Sequence, residues 1–265
     1  MAKLKTVLFD LDDTPLPEMV PENEALLVAC GLAADRYDAD TKKMLDTVDE
    51  SCRRLWAQWK TPIVYSEIAY SVWEDLWGPA DSAESNLGND SDTITKYKRE
   101  VWDEVLASYG IEDADLRDEI IKLHRIERLK RLKPFADAID VIEQVKEQYP
   151  IAIVTNGSPT VQRIKLNESG LAGYFDVVVA SGDVGFGKPR PEPFNSALEQ
   201  LNVRPEEAVM IGNSWGSDIK GASNLGMPSI WFNVDQKSRP DDGFSPTIEL
   251  DSLKKIPEAV SQIAN

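Results

Sequence analysis

Four short polar segments of this chain carry side chains suited to nucleophilic, acid–base or metal chemistry. They are Asp10–Thr14, Thr155–Ser158, Gly182–Pro189 and Gly212–Asp218. The first and the last contain carboxylates, and the third is predicted to be a glycine-rich loop that delivers Lys188. Carboxylates that converge on one place repel each other unless a cation lies among them, and hard oxygen ligands favour Mg²⁺.

Together these residue types could transfer a phosphoryl group. A carboxylate can attack phosphorus to form an aspartyl-phosphate, which divides one difficult displacement into two steps. A second carboxyl could protonate the leaving alkoxide and then activate water. A threonine hydroxyl and free backbone N–H groups after the second strand could bind phosphate oxygens, while Lys188 supplies positive charge. The residues therefore indicate a metal-assisted phosphoryl-transfer site.

The four segments must be positioned by strands, and five apolar runs predict them. These are residues 5–9, 151–154, 177–180, 208–211 and 228–232. They are rich in β-branched residues and lack polar alternation, as is typical of parallel strands covered on both faces. Helical segments at about 135–148, 159–169, 192–202, 216–226 and 252–263 alternate with them. We therefore predict an α/β fold with a Rossmann-like, doubly wound parallel sheet, which binds ligands outside the carboxyl ends of its strands.

A long segment of different character separates the first strand from the others. Residues 16–132 show helical spacing and no convincing strand. Aromatic residues such as Trp56, Trp59, Trp73, Trp77 and Trp102 recur at intervals that favour the buried face of helices. We therefore predict an all-helical domain inserted into a core formed by residues 1–15 and 133–265, with a long polar loop at 78–92.

Composition excludes several classes of protein. The chain has 265 residues with 42% hydrophobic content, which is enough for a real core and rules out a disordered protein. Its net charge of −17 makes nucleic acid and anionic membranes unsuitable partners. Two cysteines, Cys30 and Cys52, cannot form a disulfide framework and are expected to be buried free thiols. With no run of about 20 apolar residues, we expect a cytoplasmic protein without a membrane span.

The ordered segments FDLDDT, VTNGS, GKPRPEPF and IGNSWGSDIKGA resemble the four motifs of the haloacid-dehalogenase-like (HAD) hydrolase superfamily. A single DxDxT is a weak signal, whereas four motifs in order, each at a predicted strand end, are a strong one. The helical insertion after the first motif resembles the cap of the subfamily whose cap lies at that position. The resemblance extends over both parts of the predicted core.

The resemblance implies a role for each matching residue. Asp10 would be the nucleophile and a ligand of Mg²⁺, and Asp12 the general acid and base, with its backbone carbonyl on the metal. Thr155 and the Asn156 N–H would bind the phosphoryl group, and Lys188 would neutralise charge. The full set of implied metal ligands is Asp10, Asp12, Asn213 and Asp218.

Two residues depart from the family pattern. Asn213 stands where the family usually has a metal-binding aspartate, so the amide is expected to weaken the metal site. Pro15 follows Thr14 where a less restricted residue is usual, and it is expected to stiffen the entry into the cap.

The implied function is a Mg²⁺-dependent phosphatase that acts on small phosphorylated metabolites through an aspartyl-phosphate, beneath a cap that excludes water and selects the substrate. The same fold could also support a 2-haloacid dehalogenase, although dehalogenases of the family lack the second aspartate, which is present here as Asp12. A phosphosugar mutase has overlapping motifs and is a further possibility, as is a non-catalytic binding protein. Substrate identity and oligomeric state cannot be predicted from the sequence.

Overall fold

A computed structural model describes residues 3–58, 67–79 and 91–265, apart from the side chain of residue 91. By its internal contacts the chain divides into two compact units, residues 1–17 with 133–265 and residues 18–132. Residues 16 and 17 therefore belong with the first unit, two residues beyond the predicted boundary. Among the described residues, no helix is both long and apolar enough to cross a bilayer.

The first unit contains one parallel sheet with six strands among the described residues. The strands are β1 (Thr6–Phe9), β2 (Ile151–Thr155), β3 (Val177–Ala180), β4 (Ala208–Gly212), β5 (Ser229–Phe232) and β6 (Ile248–Leu250). Four of them, β1, β2, β4 and β5, are buried along their whole length. This explains their continuous apolar sequence, because helices cover both faces of the sheet.

The strand order is β3-β2-β1-β4-β5-β6, so the chain adds strands on one side of β1 and then on the other. Such a reversal creates a crevice outside the carboxyl ends of the two central strands. Here those strands are β1 and β4, whose register pairs Phe9 with Ile211. The predicted doubly wound α/β fold is confirmed, and its switch point lies where Asp10 and Gly212 leave the sheet.

Helices and short helical turns connect the strands of this unit. The α-helices are α6 (Ala138–Lys146), α7 (Pro159–Glu168), α8 (Ser181–Val184), α9 (Pro191–Leu201), α10 (Lys220–Asn224) and α11 (Ile256–Ala264), and a π-helical turn spans Trp215–Ile219. Two predictions need correction. The stretch 182–189, predicted as a loop, begins inside α8, and the strand β6 was not predicted.

The regular elements in the described part of the second unit are all helices. They are α1 (Met19–Tyr37), α2 (Thr41–Gln58), α3 (Val72–Trp77), α4 (Ser91–Ala107) and α5 (Ala114–Lys130). Trp73, Trp77 and Trp102 are buried, and Trp56 is partly buried against the same core, as their helical spacing predicts. Trp59 and residues 80–90 of the predicted loop lie outside the described residues, while 91–92 already belong to α4.

Buried polar groups also hold the second unit together. His124 on α5 is fully buried, and its Nε2 lies 2.9 Å from Glu22 Oε1 on α1. Arg128, one turn further along α5, places Nε 2.8 Å from Glu22 Oε2. The only histidine of the chain is therefore engaged inside the helical unit. Both cysteines are buried free thiols, as expected.

Candidate active site

The candidate site begins at the carboxyl end of β1. Asp10 directly follows the strand, and its backbone N–H donates to the carbonyl of Ile211 on β4 at 2.8 Å. This ladder hydrogen bond extends the β1–β4 pairing by one residue. It therefore fixes the Asp10 backbone at the switch point, where the side chain is buried.

Lys188 joins Asp10 to Asp218. Its Nζ lies 2.6 Å from Asp10 Oδ1 and 2.7 Å from Asp218 Oδ1, and all three side chains are buried. Charge-assisted hydrogen bonds of this length are strong where water is excluded. Residues 178 positions apart in the sequence thus form one compact charged group.

The charge balance of this group is uneven, because two carboxylates share one ammonium. Burial, and then the negative charge of Asp218, raise the pKa of Asp10 to about 6, although Lys188 opposes the shift. Burial alone would lower the pKa of Lys188, but Asp10 and Asp218 together raise it above its usual value. Lys188 is therefore a permanent cation at neutral pH.

Asn156 sets the position of Lys188 through the backbone. Its Oδ1 accepts from the Lys188 N–H at 2.8 Å, and its Nδ2 donates to the Lys188 carbonyl at 3.2 Å. These two bonds tie the segment after β2 to the segment after β3. The resemblance implies that the Asn156 N–H binds the phosphoryl group. The Asn156 side chain, in addition, fixes the backbone of Lys188.

The residues at the end of β2 and directly after it make more hydrogen bonds within the protein than the sequence indicates. The Thr155 hydroxyl is buried and lies 3.3 Å from Gln162 Oε1 on α7. The Gly157 N–H donates to Ser181 Oγ at 2.8 Å, so this amide is not free to bind a phosphate oxygen. Ser158 caps α7, where its Oγ accepts from the Val161 N–H.

The turn after β4 carries both Asn213 and Asp218. Asp218 is fully buried within the π-helical turn, and its Oδ2 accepts from the Ser214 N–H at 2.9 Å. Gly212 makes this possible, since a Cβ at that residue would lie only 2.2 Å from Asp218 Oδ2. Trp231 Nε1 donates to the carbonyl of Asn213 at 2.9 Å and so holds the turn against β5.

One partner at the site was not predicted from the sequence. Lys165, on α7, places its Nζ 3.0 Å from both carboxylate oxygens of Asp12. Only 1% of the Lys165 side chain is exposed, compared with 28% for Asp12. The available signal was a lysine flanked by Ile164 and Leu166 in the helix after the second motif, a place where burial was to be expected.

The oxygen donors present fit a hard divalent cation. Asp10 and Asp218 place two buried carboxylates around the single ammonium of Lys188 near the same switch point. The half-buried Asn213 adds an amide oxygen and Asp12 a backbone carbonyl. In the described parts of the chain, no cluster of three or more His, Cys, Asp or Glu side chains is arranged for a metal. The metal set implied by the resemblance, which mixes carboxylate, amide and carbonyl oxygens, stays a prediction.

A buried nucleophile candidate, a cation and a second carboxylate at the switch point of a doubly wound sheet define a hydrolase-like site. The family model of haloacid dehalogenase-like hydrolases matches residues 4–226. The phosphoserine phosphatase of Thermus thermophilus is 32% identical over 257 residues, which are 96% of this chain and 98% of that protein. A glyceraldehyde 3-phosphate phosphatase of Pyrococcus furiosus is 41% identical over 96 residues, 36% of this chain and 40% of that protein.

A solved structure named for the same family shares the fold. The magnesium-bound crystal structure of the HAD-hydrolase YfnB from Bacillus subtilis aligns with a TM-score of 0.65 and 24% identity, covering 98% of this chain and 99% of that one. This chain belongs to the haloacid dehalogenase-like hydrolases. The resemblance inferred from the four motifs is thereby confirmed. The roles of the individual site residues stay predictions.

Proposed function

We propose that this enzyme is a phosphatase that hydrolyses small phosphorylated metabolites through an aspartyl-phosphate on Asp10. The observation that carries the proposal is the buried group of Asp10, Lys188 and Asp218 at the switch point of the sheet. The names of the relatives, a phosphoserine phosphatase and a glyceraldehyde 3-phosphate phosphatase, support the same reaction class.

In the first step, a carboxylate oxygen of Asp10 attacks phosphorus while the bond from phosphorus to the leaving oxygen breaks. Asp12 in its acid form transfers a proton to the leaving oxygen, so the product departs as an alcohol. Lys188 offsets the negative charge of Asp10 and of the phosphoryl group as they approach each other. Thr155 and the backbone after β2 orient the phosphoryl oxygens.

In the second step, the Asp12 carboxylate takes a proton from water, and the water oxygen attacks phosphorus. The bond between phosphorus and the Asp10 oxygen breaks, which releases inorganic phosphate and restores the Asp10 carboxylate. Asp12 again carries the proton needed for the next cycle. Both steps depend mainly on the positioning of the reacting groups and on electrostatic stabilisation by charged side chains that are already in place.

Mg²⁺ is the cofactor that the donor set and the family imply. Asp10, the Asp12 carbonyl, Asn213 and Asp218 would hold it. Bound there, the ion would supply positive charge to the phosphoryl oxygens.

The test is phosphate release from a panel that includes phosphoserine and glyceraldehyde 3-phosphate, with and without Mg²⁺. We expect release that depends on the metal. Release of halide from a 2-haloacid would instead indicate a dehalogenase, and isomerisation of a phosphosugar would indicate a mutase. No turnover of any compound would indicate a binding protein, and each of these three results would contradict the proposal.

Replacing the nucleophile tests the covalent step. Asp10→Asn keeps the side-chain volume and an oxygen for Lys188, so the fold should persist while turnover falls below about 1% of wild type. Asp176→Asn is the matched control, because Asp176 lies at the opposite end of β2 and accepts from the Ile151 N–H at 2.9 Å. The control should retain full activity. More than a few per cent of activity in purified Asp10→Asn would contradict the mechanism.

A further inference from the structure

Lys165 is a buried cation that the mechanism above does not use. Its side chain is 1% exposed, and its Nζ lies 3.0 Å from each of the two oxygens of Asp12. Lysine is rarely buried to this degree unless its charge is paired. The ammonium lies equally far from both oxygens, so the contact restrains the position of the Asp12 carboxylate.

The helix that carries Lys165 also contacts a second residue of the site. Gln162 precedes Lys165 by three positions on α7, and residues three apart share one face of a helix. Gln162 is fully buried and lies 3.3 Å from the Thr155 hydroxyl. One face of α7 therefore contacts both a proposed phosphate-binding residue and the proposed acid and base.

The helix that carries Lys165 is capped at both ends. Helix α7 begins after the three residues that follow β2, with Pro159 in its first turn and Ser158 as its N-cap. Its end is closed by the Ser169 and Leu171 N–H groups, which donate to the carbonyls of Lys165 and Leu166. A side chain on such a helix can fix a partner more accurately than one on a loop.

We propose that Lys165 is a positioning residue that holds the Asp12 carboxylate at the reaction centre, where it serves proton transfer to the leaving oxygen. The inference rests on the proposed phosphatase function. Lys165 touches Asp12 and acts through it. By fixing where the Asp12 side chain lies, the contact would keep the proton donor in one place while the bond from phosphorus to the leaving oxygen breaks.

This role predicts a dependence on the leaving group. An alkoxide is a strong base that must be protonated as it leaves, whereas 4-nitrophenolate leaves without a proton. Removing Lys165 should therefore impair cleavage of alkyl phosphates much more than cleavage of 4-nitrophenyl phosphate. A simple loss of folded protein would lower both rates by the same factor.

The experiment compares wild type, Lys165→Met, Asp12→Asn and the double variant on two substrates. One is 4-nitrophenyl phosphate, and the other is phosphoserine or glyceraldehyde 3-phosphate, whichever the wild type cleaves faster. The quantity measured is kcat/KM, which covers the steps up to release of the leaving group. Thermal unfolding of each variant and the variant Lys146→Met serve as controls, since Lys146 pairs with Asp176 outside the site at 3.8 Å.

For the alkyl phosphate, Lys165→Met should lower kcat/KM by roughly 10- to 100-fold, a part of the total effect of general acid catalysis. For 4-nitrophenyl phosphate the loss should be at most about threefold. In the Asp12→Asn background, Lys165→Met should change kcat/KM by less than about twofold, because two residues that act through one another are not additive. Lys146→Met should leave both substrates unaffected.

Equal losses on both substrates, or a full additional loss in the Asp12→Asn background, would overturn the positioning role while leaving the phosphatase function intact. Failure of the wild type to cleave either substrate would instead overturn the proposed function, and the positioning role with it. The two failures are therefore distinguishable by the wild-type rates alone.

Discussion

At the scale of single residues, metal binding depends on which side-chain oxygens already accept hydrogen bonds from the protein. Asp218 uses one carboxylate oxygen for Lys188 and the other for the Ser214 N–H. The side-chain amide of Asn213, by contrast, forms no hydrogen bond with any residue in the described parts of the chain. We therefore expect Asn213, although uncharged, to be the more available ligand of the last motif.

Asn213→Asp is predicted to strengthen metal binding. The substitution adds one negative charge beside a site whose affinity depends on ligand charge, so the Mg²⁺ concentration for half-maximal activity should fall by roughly tenfold. Turnover at saturating Mg²⁺ should change less. Magnesium titrations of activity, together with calorimetric titration of the free enzyme, measure the two effects separately. Superimposable titrations for both proteins would show that Asn213 is not a ligand and would favour Asp218.

At the scale of elements, the turn after β4 depends on the absence of a side chain at Gly212. A Cβ there would lie 2.2 Å from Asp218 Oδ2 and 2.4 Å from its Cγ, so the carboxylate would have to leave its place on Lys188. The glycine is therefore part of the site's architecture.

Gly212→Ala is predicted to lower activity by at least tenfold, an expectation based on the displacement of a buried, hydrogen-bonded carboxylate. Gly216→Ala is the matched control, because nothing lies within 4 Å of a Cβ at Gly216 in the same turn. Steady-state kinetics and thermal unfolding of both variants provide the comparison. Equal activity in the two variants would mean that Asp218 is not needed in its observed position.

Asp75, on the short helix α3 of the second unit, makes the stability of the fold depend on pH. Asp75 is almost fully buried and accepts a hydrogen bond from the Tyr70 hydroxyl at 2.5 Å. Burial raises the pKa of Asp75 to about 6, although Tyr70 and Lys98 oppose the shift. The folded state therefore keeps a proton that the unfolded chain loses near its ordinary pKa of 3.8.

Because the folded pKa is the higher one, the free energy of unfolding contributed by Asp75 falls as pH rises from about 4 to above 6. Asp75→Asn stays neutral and keeps an acceptor for Tyr70, so its stability relative to wild type should rise over this range by on the order of 2 to 3 kcal/mol. Urea unfolding at several pH values measures the difference. Asp46→Asn, at an exposed position of α2, is the control and should show a constant difference.

At the scale of the whole molecule, a net charge of −17 opposes the compact state through self-repulsion. Most ion pairs of the described residues have at least one partly exposed partner, and such pairs contribute little to stability. Salt should therefore stabilise the fold, because it weakens the repulsion between like charges more than it weakens the favourable ion pairs.

Raising NaCl from about 20 to about 150 mM at neutral pH is predicted to increase the melting temperature by a few degrees, because the Debye length falls to about 8 Å. The same titration near pH 5 should show a smaller increase, since the sequence pI is about 4.5. Differential scanning calorimetry gives both values. A lower melting temperature in salt at neutral pH would show that the ion pairs dominate.

The sequence by itself determined the sheet, the helical insertion and the family. Strands that are buried on both faces require continuous β-branched runs, and this pattern is visible without any tertiary information. The strand β6 was missed because it has three half-exposed residues with Glu249 at its centre, so it carries no such run. Local polarity also located the four polar segments, because each follows a predicted strand.

Only the tertiary structure decided which polar groups meet. Lys188 lies on Asp10 and Asp218, Asn156 holds the Lys188 backbone, and Lys165 faces Asp12 across 153 positions of sequence. These pairings depend on strand order and on the face that each helix turns toward the sheet, and neither is encoded in the spacing of a single motif. Burial, which sets the charge states of these groups, is likewise a property of the packed core and not of the local sequence.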